Sequence, residues 1–266
     1  MSAETAGLAA RLQAAGRIAA LTIVSAGADP AAAAYLARLE RDGAATGIEV
    51  RHEALARDAD DGVIRRALET AGRDDRVTGV LLLTPLPPGV ELANVVEAIP
   101  PGKDVEGMHP LNAGFLAEGR PRFVPTTAAA VIALLRHYGI PLRGCRVTVV
   151  GRSAVFGRPL ASLLLLEHAT VTVAHSQTPD LAVHTRTADV VAIGIGRAGA
   201  LRGDMIAKGA VVVDAGINVT PEGIVGDVDA ASVSQVAGAY SPVPGGLGSV
   251  TTALLLRNVA LAADQL

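Results

Sequence analysis

The 266-residue sequence predicts an α/β fold of two lobes, and three observations predict it. Short β-branched runs alternate with longer segments of helical period, the pattern of parallel sheets covered by helices. One run opens directly into a glycine turn, a helix and a second run: CRVTVV, GRSAVFGRP, LASLLLLEHA and TVTVAHSQT, within residues 145–178. The loops after several runs are dense in glycine, proline and charge, and such loops hold the ligand sites of α/β proteins.

Taken in order, residues 4–16 read as an amphipathic helix and 17–25 (RIAALTIVS) as a buried strand. Gly27-Ala28-Asp29-Pro30 is a loop with helix-start chemistry, since proline suits a first helical turn. A helix over 31–46 ends at Gly47, a C-cap residue, before a strand at 48–51. Residues 60–72 form a helix with Val63, Ile64, Ala67 and Leu68 on one face. A third strand, 77–83 (VTGVLLL), is stopped by TPLPP, and 91–99 is a short helix. Residues 100–116 (PPGKDVEGMHPLNAGFL) read as a loop, and 126–138 as a helix. Beyond the turn unit come strands at 190–193 and 211–214, the second followed by the glycine turn Ala215-Gly216-Ile217-Asn218. YSPVPGGLG at 240–248 is a rigid loop feeding a last helix, 249–263. The division this suggests is 1–120 plus 249–266 for one lobe and 121–248 for the other.

Composition narrows the function classes. The net charge is −3, aromatics make up 2% and tryptophan is absent, so nothing favours nucleic acid or an anionic membrane surface. The single cysteine, Cys145, rules out a disulfide framework and a multi-cysteine zinc site, and no metal is expected. The first residues mix alanine with Glu4, Arg11 and Arg17, which fits neither a signal peptide nor a membrane span; a cytoplasmic protein is expected. Lysine occurs only at 103 and 208.

The turn unit carries the most chemistry. Residues 146–150 suit a strand buried on both faces, Gly151 the sharp turn out of it, and Gly157 a helix start close against the backbone. A helix N-terminus offers N–H groups and a positive dipole end to a phosphate. The pattern is G-R-S-x-x-x-G-R-P, not the usual G-x-G-x-x-G. The second strand closes on His175-Ser176-Gln177-Thr178 with no carboxylate, and Arg152 sits in the turn. A carboxylate there would bind the ribose hydroxyl of NAD; arginine and hydroxyl groups suit the 2′-phosphate of NADP, so the second lobe reads as a Rossmann-type NADP lobe.

The loops taken together resemble the methylenetetrahydrofolate dehydrogenase/cyclohydrolase (FolD-type) family. The stretches that carry the resemblance are PLP at 85–87, GKDVEGMHPLNAG at 102–114, GRSAVFGRP at 151–159, ATVTVAHSQT at 169–178, VVVDAGIN at 211–218, GDV at 226–228 and SPVPGGLG at 241–248. The resemblance implies a small parallel folate-side lobe, a dinucleotide lobe, a cleft between them for tetrahydrofolate, and a homodimer. It also implies cofactor contacts from Thr127, Gly151, Arg152, Ser153, Val155, Gly157 and Arg158, and from Ser176, Gly194, Gly196, Ile217 and Thr251. Pro244 and Gly245 fall on its substrate side.

The folate side departs from the family pattern. The family's Y-x-x-x-K becomes Tyr35-Leu36-Ala37-Arg38-Leu39, its V-Q-L-P-L-P places glutamine where Leu83 stands, and its K-D-V-D-G ends here in Glu106-Gly107. Tyr35 and Glu106 remain as the candidate active residues, with Leu39 and Leu83 lining the substrate side. Hydride transfer from the methylene carbon needs alignment above all. Hydrolysis of the methenyl product needs a group that moves a proton, which leucine is not, and Arg41 stays protonated. Cyclohydrolase activity is therefore expected to be absent or very weak. Two other readings stay open: transfer of the one-carbon unit to another small molecule, and a non-catalytic folate or NADP binder.

Overall fold

The computed structural model describes every residue except Ala28, Asp29, Glu222 and Leu266, together with the backbone but not the side chains of Pro30 and Ala31. The helix start read at residues 27–30 therefore lies partly outside the described residues. The chain forms two compact units, Met1–Phe115 with Pro121–Val124 and Thr252–Leu266, and Leu116–Arg120 with Pro125–Thr251. Each is an α/β unit built on a parallel sheet.

The first unit holds α1 (Ser2–Ala14), β1 (Ala20–Ala26), α2 (Pro30–Thr46), β2 (Glu49–Leu55), α3 (Asp61–Arg73), β3 (Gly79–Leu82) and α4 (Leu92–Val95), which runs on into a 3₁₀ turn. Its sheet order is β2-β1-β3, all parallel, with Leu21 paired to both Val50 and Gly79. Strand side chains alternate between the two faces, and the alternation sorts the core. Leu21, Ile23, Leu81 and Leu83 turn to one face, where they share a cluster with Leu12 of α1 and Leu39 of α2. Val24, Val80 and Leu82 turn to the other face and meet Ile64, Leu68 and Ala71 of α3. Burial on both faces explains why 80–83 is apolar at every position instead of alternating with polar residues. Ladder bonds continue past β3, because the Leu83 N–H donates to the Val24 carbonyl at 2.8 Å. Asp60 caps α3 by accepting the Val63 N–H at 2.8 Å.

The segment 100–116, read as a loop, contains a helix, α5 (Pro110–Ala117). Its glycine and proline content hid it. Pro110 stands at the first helical position, where no N–H is needed, and the His109 Nδ1 accepts the Leu111 N–H at 3.0 Å as a cap.

The second unit holds α6 (Thr126–His137), β4 (Arg146–Val150), α7 (Gly157–Leu166), β5 (Thr170–Ala174), α8 (Leu181–Thr185), β6 (Val190–Ile193), β7 (Val211–Asp214), a hairpin of β8 (Asn218–Thr220) and β9 (Gly223–Val225), α9 (Ala230–Val233) and β10 (Ala239–Tyr240). The sheet order is β10-β7-β6-β4-β5, parallel throughout, with Val147 paired to Val171 and Val190. Helix α10 (Leu247–Gln265) closes the chain, and its residues from Thr252 on belong to the first unit. Among the described residues no helix is long and apolar enough to cross a membrane, and no cluster of three or more His, Cys, Asp or Glu is placed to hold a metal.

Candidate active site

In the first unit the structure gathers four residues singled out by the sequence. Tyr35 and Leu39 lie four apart on α2 and so share a helix face. Leu83 has the same strand parity as Leu81, which turns it toward that face. Leu39 is fully buried and Leu83 8% exposed, in the same apolar cluster, with Tyr35 and Leu36 packed against it. Burial pushes the Tyr35 hydroxyl well above the ordinary phenol range, the Glu106 carboxylate pushes it further, and Arg38 opposes both. Glu106 therefore lies within electrostatic reach of Tyr35, and the phenol stays protonated as a hydrogen-bond donor.

Glu106 rides on a segment pinned from several sides. Val80 donates its N–H to the Lys103 carbonyl at 2.8 Å, and Asn258 Nδ2 donates to the Val105 carbonyl at 2.8 Å. The buried Asp104 carboxylate accepts the N–H groups of Met108 and His109 at 3.0 and 2.8 Å, and Asn112 Nδ2 at 2.8 Å. The sequence reading gave Asp104 no role; its partners are backbone groups and carry no side-chain signal. Lys103 Nζ donates to the Asp74 carbonyl at 2.8 Å, while Arg38 and Arg41 both face Asp42 at 3.4 Å. An open groove of about 780 Å³ between residues 57–62 and 87–90 contains none of the four.

In the second unit the turn after β4 has the close geometry its glycines suggest. Gly151 has φ +128°, a conformation that side-chain-bearing residues rarely adopt, and its N–H donates to the Ala174 carbonyl at 2.8 Å. That bond sets the turn beside the end of β5, two residues before Ser176. A methyl group on Gly157 would lie 2.0 Å from the Gly151 carbonyl oxygen, so the start of α7 sits directly on the turn. Residues 152–155 are exposed, as are Arg158 and Ser176, and α7 starts without a side-chain cap. Among the described residues Arg152 has no carboxylate partner. Two imidazoles serve turns: His175 Nδ1 accepts the Gln177 N–H at 3.2 Å, as His109 Nδ1 accepts that of Leu111.

Gly194 comes to the same turn, where a methyl group on Gly151 would meet its carbonyl oxygen at 2.7 Å. Gly196 and Ile217 lie on exposed turns after β6 and β7, and the buried Asp227 reaches both turns. Thr127 is half-buried on α6, which packs against α7. Thr251 Oγ1 donates to the Gly248 carbonyl at 2.9 Å, and Pro244 and Gly245 are exposed on the preceding loop of this second unit.

Comparison with known proteins decides the family. Residues 1–106 match the catalytic domain of tetrahydrofolate dehydrogenase/cyclohydrolase, and residues 125–266 match the NAD(P)-binding domain of the same family. The chain belongs to the tetrahydrofolate dehydrogenase/cyclohydrolase family. It is 49% identical over 266 residues to the bifunctional protein FolD of Nocardia farcinica, covering all of this chain and 94% of that protein. Among solved structures it is similar to the bifunctional FolD methylenetetrahydrofolate dehydrogenase/cyclohydrolase of Campylobacter jejuni, with a TM-score of 0.96 at 36% identity over 99% of this chain and 94% of that one. It is also similar to the Trypanosoma brucei enzyme, solved with NADP and an inhibitor, with a TM-score of 0.93 at 32% identity over 99% and 93% of the two chains. The chain is thus an oxidoreductase of folate one-carbon chemistry with two α/β domains. The uncapped start of α7 and the exposed Arg152 fit the phosphates of a dinucleotide.

Proposed function

We propose that this chain is an NADP-dependent 5,10-methylenetetrahydrofolate dehydrogenase whose cyclohydrolase activity is lost or very weak. The carrying observation is that Leu39 and Leu83, at the family's lysine and glutamine positions, belong to one buried apolar cluster. NADP, when bound, supplies the hydride acceptor. Arg152 and Ser176 would hold its 2′-phosphate, and the start of α7 with Ser153 and Val155 would hold its pyrophosphate. Thr127, Arg158, Gly194, Gly196, Ile217 and Thr251 would complete the site. In this reading residues 1–120 with 249–266, Thr251 excepted, serve the folate, and 121–248, Pro244 and Gly245 excepted, serve the dinucleotide.

Tyr35 stacks on the pterin side and keeps its proton, while Glu106 accepts hydrogen bonds from the pterin N–H groups, and Pro244 and Gly245 border the substrate. Loss of hydride from the methylene carbon leaves a cation shared by the two flanking nitrogens, which asks the protein for alignment and dryness. Attack by water then requires a proton to be taken up, and neither leucine has a group to take it. The similarity to enzymes named as bifunctional supports the first step. The two leucines support the absence of the second.

The test mixes the protein with 5,10-methylenetetrahydrofolate and NADP and measures reduced cofactor, methenyl and 10-formyl products over time. Reduced cofactor and methenyl rising together, with 10-formyl product forming no faster than in protein-free methenyl controls, is the expected result. Enzymatic 10-formyl product overturns the loss of hydrolysis; folate binding without reduced cofactor overturns the dehydrogenase and favours a transferase. The same reading makes the protein a cytoplasmic homodimer. Its dimeric state is supported by β2 standing at the end of its sheet with no further strand beside it among the described residues, and is checked by light scattering.

A further inference from the structure

Two turns leave the carboxyl ends of neighbouring parallel strands in the second unit, residues 194–197 after β6 and 215–218 after β7. One buried carboxylate joins them. Asp227 Oδ2 accepts the N–H groups of Ile195 and Gly196 at 2.6 and 3.0 Å. Its Oδ1 accepts the Arg197 N–H at 2.7 Å and Asn218 Nδ2 at 2.9 Å. Three consecutive amides wrapped around one anion form a nest, and here the anion is internal. The second turn is pressed against the same group, because a methyl on Gly216 would lie 2.2 Å from Asp227 Cγ. The segment that delivers Asp227 is anchored in turn. Asp214, at the end of β7, accepts the Asp227 and Val228 N–H groups at 3.0 and 2.9 Å and that of Gly216 at 2.8 Å.

We propose that Asp227 is a positioning residue for the dinucleotide: it fixes the turns of Gly196 and Ile217 relative to each other without touching the ligand. This rests on the reading that the second unit binds NADP through those turns. A carboxylate is required because four donors converge on it. An asparagine would bring an NH₂ group against two N–H donors and release half the clamp.

The test uses the full chain with Asp227→Asn and titrates NADPH by its own fluorescence, which suits a protein without tryptophan. The NADPH Kd is expected to rise on the order of tenfold, the range of a lost charge-assisted hydrogen bond. Binding of tetrahydrofolate should change by less than about twofold, and amide exchange at 195–197 should accelerate. Val191→Ala, fully buried on the strand that feeds the first turn, is the comparison. It lowers the melting temperature and should leave the NADPH Kd within about twofold, separating positioning from loss of stability. Should Asp227→Asn fail to fold, Asn218→Ala removes one donor and is expected to weaken NADPH binding about threefold. A variant that folds and binds NADPH as wild type does overturns the inference and leaves the NADP reading standing. A wild type that does not bind NADPH overturns both.

Discussion

Replacing Leu39 by lysine tests the central structural contrast, because the side chain enters a site with no exposed surface. A lone ammonium there either stays charged at a cost of several kcal/mol or gives up its proton. A drop of about three units in its pKa corresponds to roughly 4 kcal/mol at neutral pH. In a chain of this size each kcal/mol shifts the melting temperature by about 2–4 °C, so Leu39→Lys should melt some 8–16 °C below wild type. The linkage sign is fixed. The lysine pKa is lowered in the folded state, the unfolded state binds more protons, and the deficit shrinks as pH rises from about 7 toward 10. Leu83→Gln in the same molecule supplies an acceptor from the strand position that faces α2, and should return about 1–2 kcal/mol of that loss. The paired variant should also raise 10-formyl formation at least about tenfold over wild type, part of the 10²–10⁴ that a placed proton-transfer group provides. Thermal melts at two pH values and the product assay read both outcomes. A single variant that melts within about 2 °C of wild type would show that residue 39 is not walled in. A paired variant that folds and hydrolyses no better than wild type would refute the assignment of the lost step to these two residues.

Three further outcomes follow from the same geometry. Arg152→Ala should raise the KM for NADP about 10–10²-fold and leave that for NAD nearly unchanged; equal losses for both would remove Arg152 from the 2′-phosphate. Glu106→Asp draws the carboxylate back by one methylene, and kcat/KM for methylenetetrahydrofolate should rise about tenfold or more if that group meets the pterin, whereas an unchanged or lower value argues against the contact. Asp74 is lowered to about 2 by the Arg76 side chain and backbone N–H, so its contribution to stability is present above the unfolded value near about 3.9 and is lost as pH falls toward 2. Urea midpoints of wild type and Arg76→Ala should converge over that window, and a gap that is the same at both ends refutes the linkage.

The strands buried on both faces were the most legible part of the fold. The runs at 146–150, 190–193 and 211–214 coincide with β4, β6 and β7, because a strand covered on both sides shows as a short run rich in β-branched residues without polar alternation. The helix face of Val63, Ile64, Ala67 and Leu68 was equally plain from its period, and all but Val63 are buried in the structure. Elements with little core escaped. Helix α5 was masked by its proline and glycine, α8 and α9 are single turns capped by Asp180 and Asp229, and β8 and β9 are three-residue strands with Val219 and Ile224 exposed. For the candidate site, family resemblance singled out Tyr35 and Glu106, and only the fold brings residues 71 positions apart into electrostatic contact. Asp227 went unread because its partners are mostly backbone amides thirty positions upstream, and amides have no letter of their own.

The absence of room at Gly157 divides the dinucleotide turn into a chassis and a rim. With the helix resting on the Gly151 carbonyl, the glycines leave no room for adjustment, and a library randomised at 151 and 157 should return only glycine among folded clones. Under the proposed NADP reading, redesign of coenzyme preference is thereby confined to the exposed side chains at residues 152–155 and 176, which can be exchanged without moving the frame.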